Sequence, residues 1–138
     1  DAESHYNLGN TLRELGRLDK AEASYNKAIA LQPDYTDAHN NVGITLEELG
    51  RLEEAEASYR KVTLLQPAYS KAHSNLGNAL RELGRLNEAE ASCRKAVALQ
   101  PDFAEFYNNL GNTLQDLSKF EEAEASYSKA IALRADYT

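Results

Sequence analysis

Leu8, Leu12 and Leu15 fall at spacings of three and four, the period of one face of an α-helix, and the run ends at Gly16. Glycine tolerates the left-handed conformation that stops a helix, so a first helix is expected to close there. After Leu18 a second stripe follows, made of Ala21, Tyr25, Ala28 and Leu31, and Pro33 ends it. Asp34 then reads as a cap for the next helix. No segment alternates apolar and polar residues as a half-buried strand does. Ala2 to Tyr35 therefore predicts a helix pair joined by a tight turn.

The same wording returns along the whole chain. Asn7-Leu8-Gly9-Asn10, Asn41-Val42-Gly43-Ile44, Asn75-Leu76-Gly77-Asn78 and Asn109-Leu110-Gly111-Asn112 share one phase of a 34-residue period. Ala21, Ala55, Ala89 and Ala123 open Ala-Glu-Ala-Ser runs at the same interval. A fixed period of this size marks an array of one supersecondary unit. The units are residues 2–35, 36–69, 70–103 and 104–137, in a single array. Gly9 and its equivalents sit mid-helix, where glycine costs ~1 kcal/mol relative to alanine. Close approach between the helices of a pair is the expected compensation.

Composition narrows the function. The net charge is -7, and Lys and Arg are interleaved with Glu, so there is no basic stripe. Nucleic acid and anionic membranes both demand one, and neither is expected as a partner. No apolar run approaches the ~18 residues of a membrane span, and there is no signal-peptide h-region. The absence of Met, even at position 1, is expected of a fragment or an engineered chain. Cys93 is the only cysteine and stands where Tyr25, Tyr59 and Tyr127 stand in the other units. It is read as a half-buried packing residue, not a reactive thiol.

His5, His39 and His73 share one repeat position. Each helix-to-helix step is ~8–10 Å, whereas two imidazoles on one zinc ion need nitrogens ~2.0–2.1 Å from it. Packing and hydrogen bonding are expected of them, with no metal and no cofactor. Catalysis needs unlike residues converging at one place, and an array repeats like residues at intervals. There is no P-loop, no nucleotide-binding glycine fingerprint and no Cys/His cluster, so no catalytic residue and no enzyme is expected. Glu22, Glu56, Glu90 and Glu124, with Lys27, Lys61, Lys95 and Lys129, read as a solvated outer face. Glu56–Arg60 and Glu90–Arg94 are i,i+4 pairs worth ~0.2–0.5 kcal/mol each.

These positions together resemble the tetratricopeptide repeat (TPR). That frame prefers a large residue, Leu-Gly, a large residue, Ala, an aromatic, Ala and Pro, and the first unit has His5, Leu8, Gly9, Leu12, Ala21, Tyr25, Ala28 and Pro33 there. The departures are His or Tyr where Trp is frequent, Val62 for Ala, Cys93 for the aromatic, Ser118 for the turn glycine and Ala135 for Pro. The last two imply a looser final repeat, in which a Leu→Ala change should matter less than at Leu46 or Leu80. The resemblance implies an all-α fold, an α-solenoid of four helix-turn-helix TPR units forming a right-handed superhelix. "Asn-Asn-Leu-Gly-Asn" with "Glu-Ala-Glu-Ala-Ser-Tyr" looks like the array fused to O-linked N-acetylglucosamine transferase and its bacterial relatives.

In that family the first helix of each pair lines the concave face, which makes Asn7, Asn41, Asn75 and Asn109 the leading candidates for binding. A mid-helix asparagine needs a reason, and its amide matches the C=O and N–H of a peptide backbone. The alternative is that these amides bond between repeats. Asn10, Asn78, Asn112, Lys71, Arg13 and Arg81 flank them and are expected to tune specificity. Another branch of the family clamps a chaperone's C-terminal carboxylate; here only Asn10, Asn41 and Lys71 suit that clamp, which argues against such a partner. The expected function is a scaffold for an extended peptide or protein segment. The alternatives are a substrate-recruiting piece of a glycosyltransferase-type enzyme and a self-assembling structural module. Asp136-Tyr137-Thr138 repeats the opening Asp34-Tyr35-Thr36 with no capping helix after it. Ala123, Tyr127, Ala130 and Ile131 are then expected to face solvent, favouring head-to-tail self-association through uncapped ends.

Overall fold

The computed structural model describes residues 1–135; Asp136, Tyr137 and Thr138, expected to open a further repeat, lie outside the described residues. The elements are α1 (Ala2–Glu14), α2 (Leu18–Leu31), α3 (Thr36–Glu48), α4 (Leu52–Leu65), α5 (Ser70–Glu82), α6 (Leu86–Leu99), α7 (Ala104–Asp116) and α8 (Phe120–Ala135). No strand occurs among the described residues. The chain divides into two compact units, Asp1–Pro67 and Ala68–Thr138. Each unit holds two helix pairs, α1–α4 in the first and α5–α8 in the second.

The turns follow from backbone hydrogen bonding. Gly16, Gly50 and Gly84 take φ of 77°, 80° and 81°. At the first, Gly16 N–H donates to Arg13 O at 2.9 Å and Arg17 N–H to Leu12 O at 2.8 Å. This closes the carbonyls that the end of a helix leaves open. Ser118 takes φ 59° and keeps both bonds, Ser118 N–H to Gln115 O at 3.0 Å and Lys119 N–H to Leu114 O at 2.9 Å. The fourth turn is therefore built like the others. Ala135 in place of proline lets α8 run for 16 residues against 14 in α2.

Three expectations need correction. Asp34 is not a cap: Tyr35 takes the N-cap of α3 with no side-chain bond, whereas Asp1 caps α1, its Oδ1 accepting from Ser4 N–H at 2.7 Å. Leu8 and Leu15 are 50% and 59% exposed. Within the first unit α1 packs on α2 and α3 alone, leaving that flank of α1 open. Leu31 is exposed too, since its three-residue step from Ala28 turns it about 60° to the edge of the stripe. Of the four α8 residues expected to face solvent, Ala123 and Ala130 are buried and Tyr127 is half-buried. Leu114 is as buried as Leu80, so burial gives no ground for a lower truncation cost in the last repeat.

The core of each unit is built on a glycine. A Cβ on Gly9 would lie 2.6 Å from Tyr25 Cε1, on Gly43 2.4 Å from Tyr59 Cε1, and on Gly111 2.6 Å from Tyr127 Cε1. The aromatic ring of each second helix rests on bare backbone of the first, which is why the helix tolerates glycine there. At Gly77 the neighbour is Cys93 Sγ at 2.4 Å, with Ala89 O and Cys93 N at 3.3 and 3.4 Å. In the second unit Cys93, Leu110, Leu114 and Ala123 form one cluster, with Val97 and Tyr127 against it. Burial pushes the Cys93 thiol pKa up, as a packing role requires.

The outer face is more tightly wired than i,i+4 pairs alone. Arg60–Glu56 and Arg94–Glu90 are present at 2.8 and 2.7 Å. Beyond them, Arg51 reaches Glu22 of the preceding pair at 2.8 Å, and Lys119 reaches Glu90 at 2.9 Å. The basic residues that follow the turns thus link one helix pair to the carboxylate of the pair before it. Lys119 first, then Arg94, hold the Glu90 carboxyl below its usual range. A lowered folded pKa contributes stability above the unfolded value of ~4.3, lost as pH falls through the folded value. Glu90→Gln should therefore lower the melting temperature at pH 7, by under ~1 kcal/mol of stability for such part-exposed pairs, and make no difference near pH 2. Thermal melts of both proteins at the two pH values check this.

Candidate functional site

The expected site residues all lie on the first helix of a pair, α1, α3, α5 or α7, and the structure shows what each touches. Asn7 is exposed, and Asn41, Asn75 and Asn109 are half-buried. Asn41 Nδ2 donates to Tyr6 Oη at 3.1 Å and to Asn10 Oδ1 at 2.9 Å. Asn109 Nδ2 donates to Ser74 Oγ at 2.6 Å. Each bond joins neighbouring helix pairs within one unit. The amide nitrogens of Asn41 and Asn109 thus act as struts between repeats, whatever else the side chains do. An Asn41→Ala change is therefore not neutral for stability, contrary to what helix propensity alone implies.

Two of the flanking asparagines, Asn10 and Asn112, accept from the tyrosine of the paired helix. Tyr25 Oη donates to Asn10 Oδ1 at 2.6 Å, and Tyr127 Oη donates to Asn112 Oδ1 at 2.7 Å. The tyrosine that rests on the glycine is so tied by its hydroxyl to the residue after that glycine. The middle repeats break the pair in opposite ways. Ile44 stands where asparagine would accept, and the buried Tyr59 Oη has no hydrogen-bond partner. Cys93 stands where tyrosine would donate, and Asn78 Oδ1 is buried without a partner. Burial, then the Glu47 carboxylate by its charge and as a neighbour short of good hydrogen-bond geometry, raises the Tyr59 hydroxyl pKa far above its usual value, so it stays a neutral donor.

The cations of this face are similarly open. Arg13 is half-buried, its charge acts on the hydroxyls of both Tyr25 and Tyr59, and its Nη1 has no partner. Arg81 Nη1 reaches Asp116 Oδ2 at 3.3 Å, while its Nε is buried without a partner. Lys71 is exposed in the first turn of α5. His39 Nε2 lies 2.9 Å from Pro33 O, and Tyr107 Oη, at the same repeat position, donates to Pro101 O at 2.8 Å. These histidine-position residues tie a first helix to the loop before it. Sequence reasoning passed over Tyr35, and treated Tyr59 as core alone. Nothing in a period says which way a hydroxyl points across a helix pair.

With this geometry in view, the comparisons are specific. A model of the TPR repeat matches residues 9–50 and 77–118, and models of the tetratricopeptide repeat match 36–69 and 104–137. A structure of MamA superposes with a TM-score of 0.90 at 20% identity, covering 99% of this chain and 80% of that one. MamA 41-end from Desulfovibrio magneticus RS-1 gives 0.89 at 24% identity, covering 99% and 77%. The first TPR of Spaghetti (RPAP3), bound to the HSP90 peptide SRMEEVD, gives 0.82 at 26% identity, covering 85% and 93%. No curated protein matches the sequence.

The broken pairs generate a direct test. Ile44→Asn restores an acceptor for Tyr59 Oη and should stabilise the chain by about 1 kcal/mol, the net worth of one hydrogen bond. The gain should vanish in the Tyr59→Phe background. Chemical denaturation of the four combinations measures it.

Proposed function

The chain belongs to the tetratricopeptide repeat family, and from that premise we propose that it is a non-enzymatic scaffold whose first-helix faces hold an extended peptide or protein segment. One observation carries this reading. The buried polar atoms without partners, Arg13 Nη1 and Tyr59 Oη in the first unit and Asn78 Oδ1 and Arg81 Nε in the second, are donors and an acceptor supplied by the helix pairs at the asparagine rows. A buried polar group left unsatisfied costs ~1–3 kcal/mol, and such groups need an explanation. An extended backbone offers both C=O and N–H at every residue. It satisfies the half-buried Arg13, Asn78 and Arg81 once these side chains turn toward it, whereas Tyr59 is wholly buried and stays out of its reach. Asn7, Asn41, Asn75 and Asn109, with Asn10, Asn78 and Asn112, supply amides to the same faces, and Lys71, Arg13 and Arg81 set which side chains are accepted. The structurally similar TPR of RPAP3 was solved with a peptide bound, which supports the mode without naming this chain's partner.

The finer kinship to the array of O-linked N-acetylglucosamine transferase rests on the repeat wording alone, and a transferase domain in the same gene is what would bear it out. Self-association has an observation of its own. Val97 of α6 packs against the Leu110–Leu114 cluster, whereas Ile131, its equivalent in α8, is 70% exposed. Leu8 is 50% exposed where Leu110 is 4% exposed. The open flanks of α8 and α1 repeat the two halves of that internal interface, so a second copy is a fitting occupant. Light scattering of the 138-residue chain should show a mass rising with concentration; a constant monomer mass to millimolar concentration ends this second reading.

The scaffold reading is tested with a peptide selected from a library and titrated calorimetrically. Asn41→Ala with Asn75→Ala should weaken many peptides alike, by roughly one to two orders of magnitude, and should also lower the melting temperature. Changes at Lys71 or Arg81 should instead alter which peptides bind. Unchanged affinity in the double variant, with an earlier melt, would mean that the amides are struts alone.

A further inference from the structure

The first unit carries a cluster of three tyrosine rings. The ring centroids of Tyr6 and Tyr25 are 5.9 Å apart with planes at 50°, and those of Tyr6 and Tyr35 are 5.0 Å apart at 31°. Tyr25 is fully buried, while Tyr6 and Tyr35 are half-buried and keep part of their surface open. The rings are held in place. Tyr6 Oη accepts from Asn41 and Tyr25 Oη donates to Asn10, while Tyr35 is fixed at the N-cap of α3 by its N–H to Gln32 O at 3.1 Å. Glu3, in the first turn of α1, and Asp37, in the first turn of α3, are exposed. Burial, Tyr6 and then these two carboxylates push the Tyr35 hydroxyl pKa up, and Glu3 lies one helical turn before Tyr6 on α1.

A π face is electron-rich and attracts a cation within ~6 Å of its centroid, and neighbouring carboxylates strengthen the attraction. We propose that the open surfaces of Tyr6 and Tyr35, beside Glu3, form a subsite for a cationic side chain of the bound peptide, arginine foremost, whose planar guanidinium stacks on a ring. The inference rests on the peptide-binding reading of this face. At α5 of the second unit the corresponding positions differ. Ser74 stands at the position of Tyr6, Phe103 meets the buried Phe106 at 4.5 Å, and Lys71 stands at the position of Glu3. A cationic residue is repelled there and attracted on the first unit.

The test uses the full chain with tyrosine rings observed by 1H–13C NMR. Acetyl-arginine amide and acetyl-citrulline amide, which differ in charge at nearly equal shape, are the probes. The Tyr6 and Tyr35 resonances should move with arginine, which should bind about two- to thirtyfold more tightly than citrulline. Tyr6→Leu should abolish the preference, and Glu3→Gln, at an exposed site that leaves the fold intact, should reduce it. Equal response to both probes, or none to either, overturns the subsite. Library peptides extend the test, each made with arginine and with citrulline. If both forms bind equally well, the scaffold reading stands and the subsite fails. If no peptide binds while the ring shifts remain selective for arginine, the scaffold reading fails and the subsite stands.

Discussion

The seating of a second-helix side chain on a first-helix glycine fixes this molecule. The contact occurs at Gly9, Gly43, Gly77 and Gly111, and in every case a Cβ would come within 2.6 Å of the opposing side chain. It sets the distance between the helices of a pair, and with it the positions of everything the first helix carries. Leucine and alanine stripes supply the apolar area that drives association. That burial is non-directional, so the register of each pair comes from the glycine seat.

The polar network of the first helices follows from the same contact. A tyrosine seated on Gly9 has its hydroxyl beside Asn10, and one seated on Gly111 has it beside Asn112. The next asparagine row crosses between pairs, as Asn41 does to Tyr6 and Asn10. The chain satisfies this network at residues 10–25 and 112–127 and leaves it open at residues 44–59 and 78–93. The proposed peptide and cation sites draw on these groups and on the part-exposed rings of Tyr6 and Tyr35.

Much of this was legible in the sequence because a repeat states its rules four times. Gly16, Gly50 and Gly84 announced the turns, and Ser118 showed that the period outweighs one residue's preference. What escaped was whatever depends on neighbours instead of phase. Leu8 and Leu110 share one repeat position, yet one is half exposed and the other buried, because only the second has a helix against that flank. Asp34 has the chemistry of a cap, but the backbone gave that place to Tyr35. Glu22 and Glu90 read as a solvated face, but the fold brings Arg51 and Lys119 of the following pair within reach of them. The asparagine rows were visible as rows, but their bonds to Tyr25, Tyr6 and Ser74 depend on side-chain directions across helices that periodicity does not encode.

The glycine seat is tested most directly by a double-mutant cycle at Gly111 and Tyr127, read by equilibrium denaturation. Gly111→Ala alone should destabilise by ~1–3 kcal/mol, because the methyl group drives into the ring. In the Tyr127→Ala background the same change should be neutral or stabilising, since alanine is the better helix former by ~1 kcal/mol. The account predicts a coupling of roughly 1–3 kcal/mol between the two sites. Additive effects, with Gly111→Ala equally costly whether or not the ring is present, would contradict it.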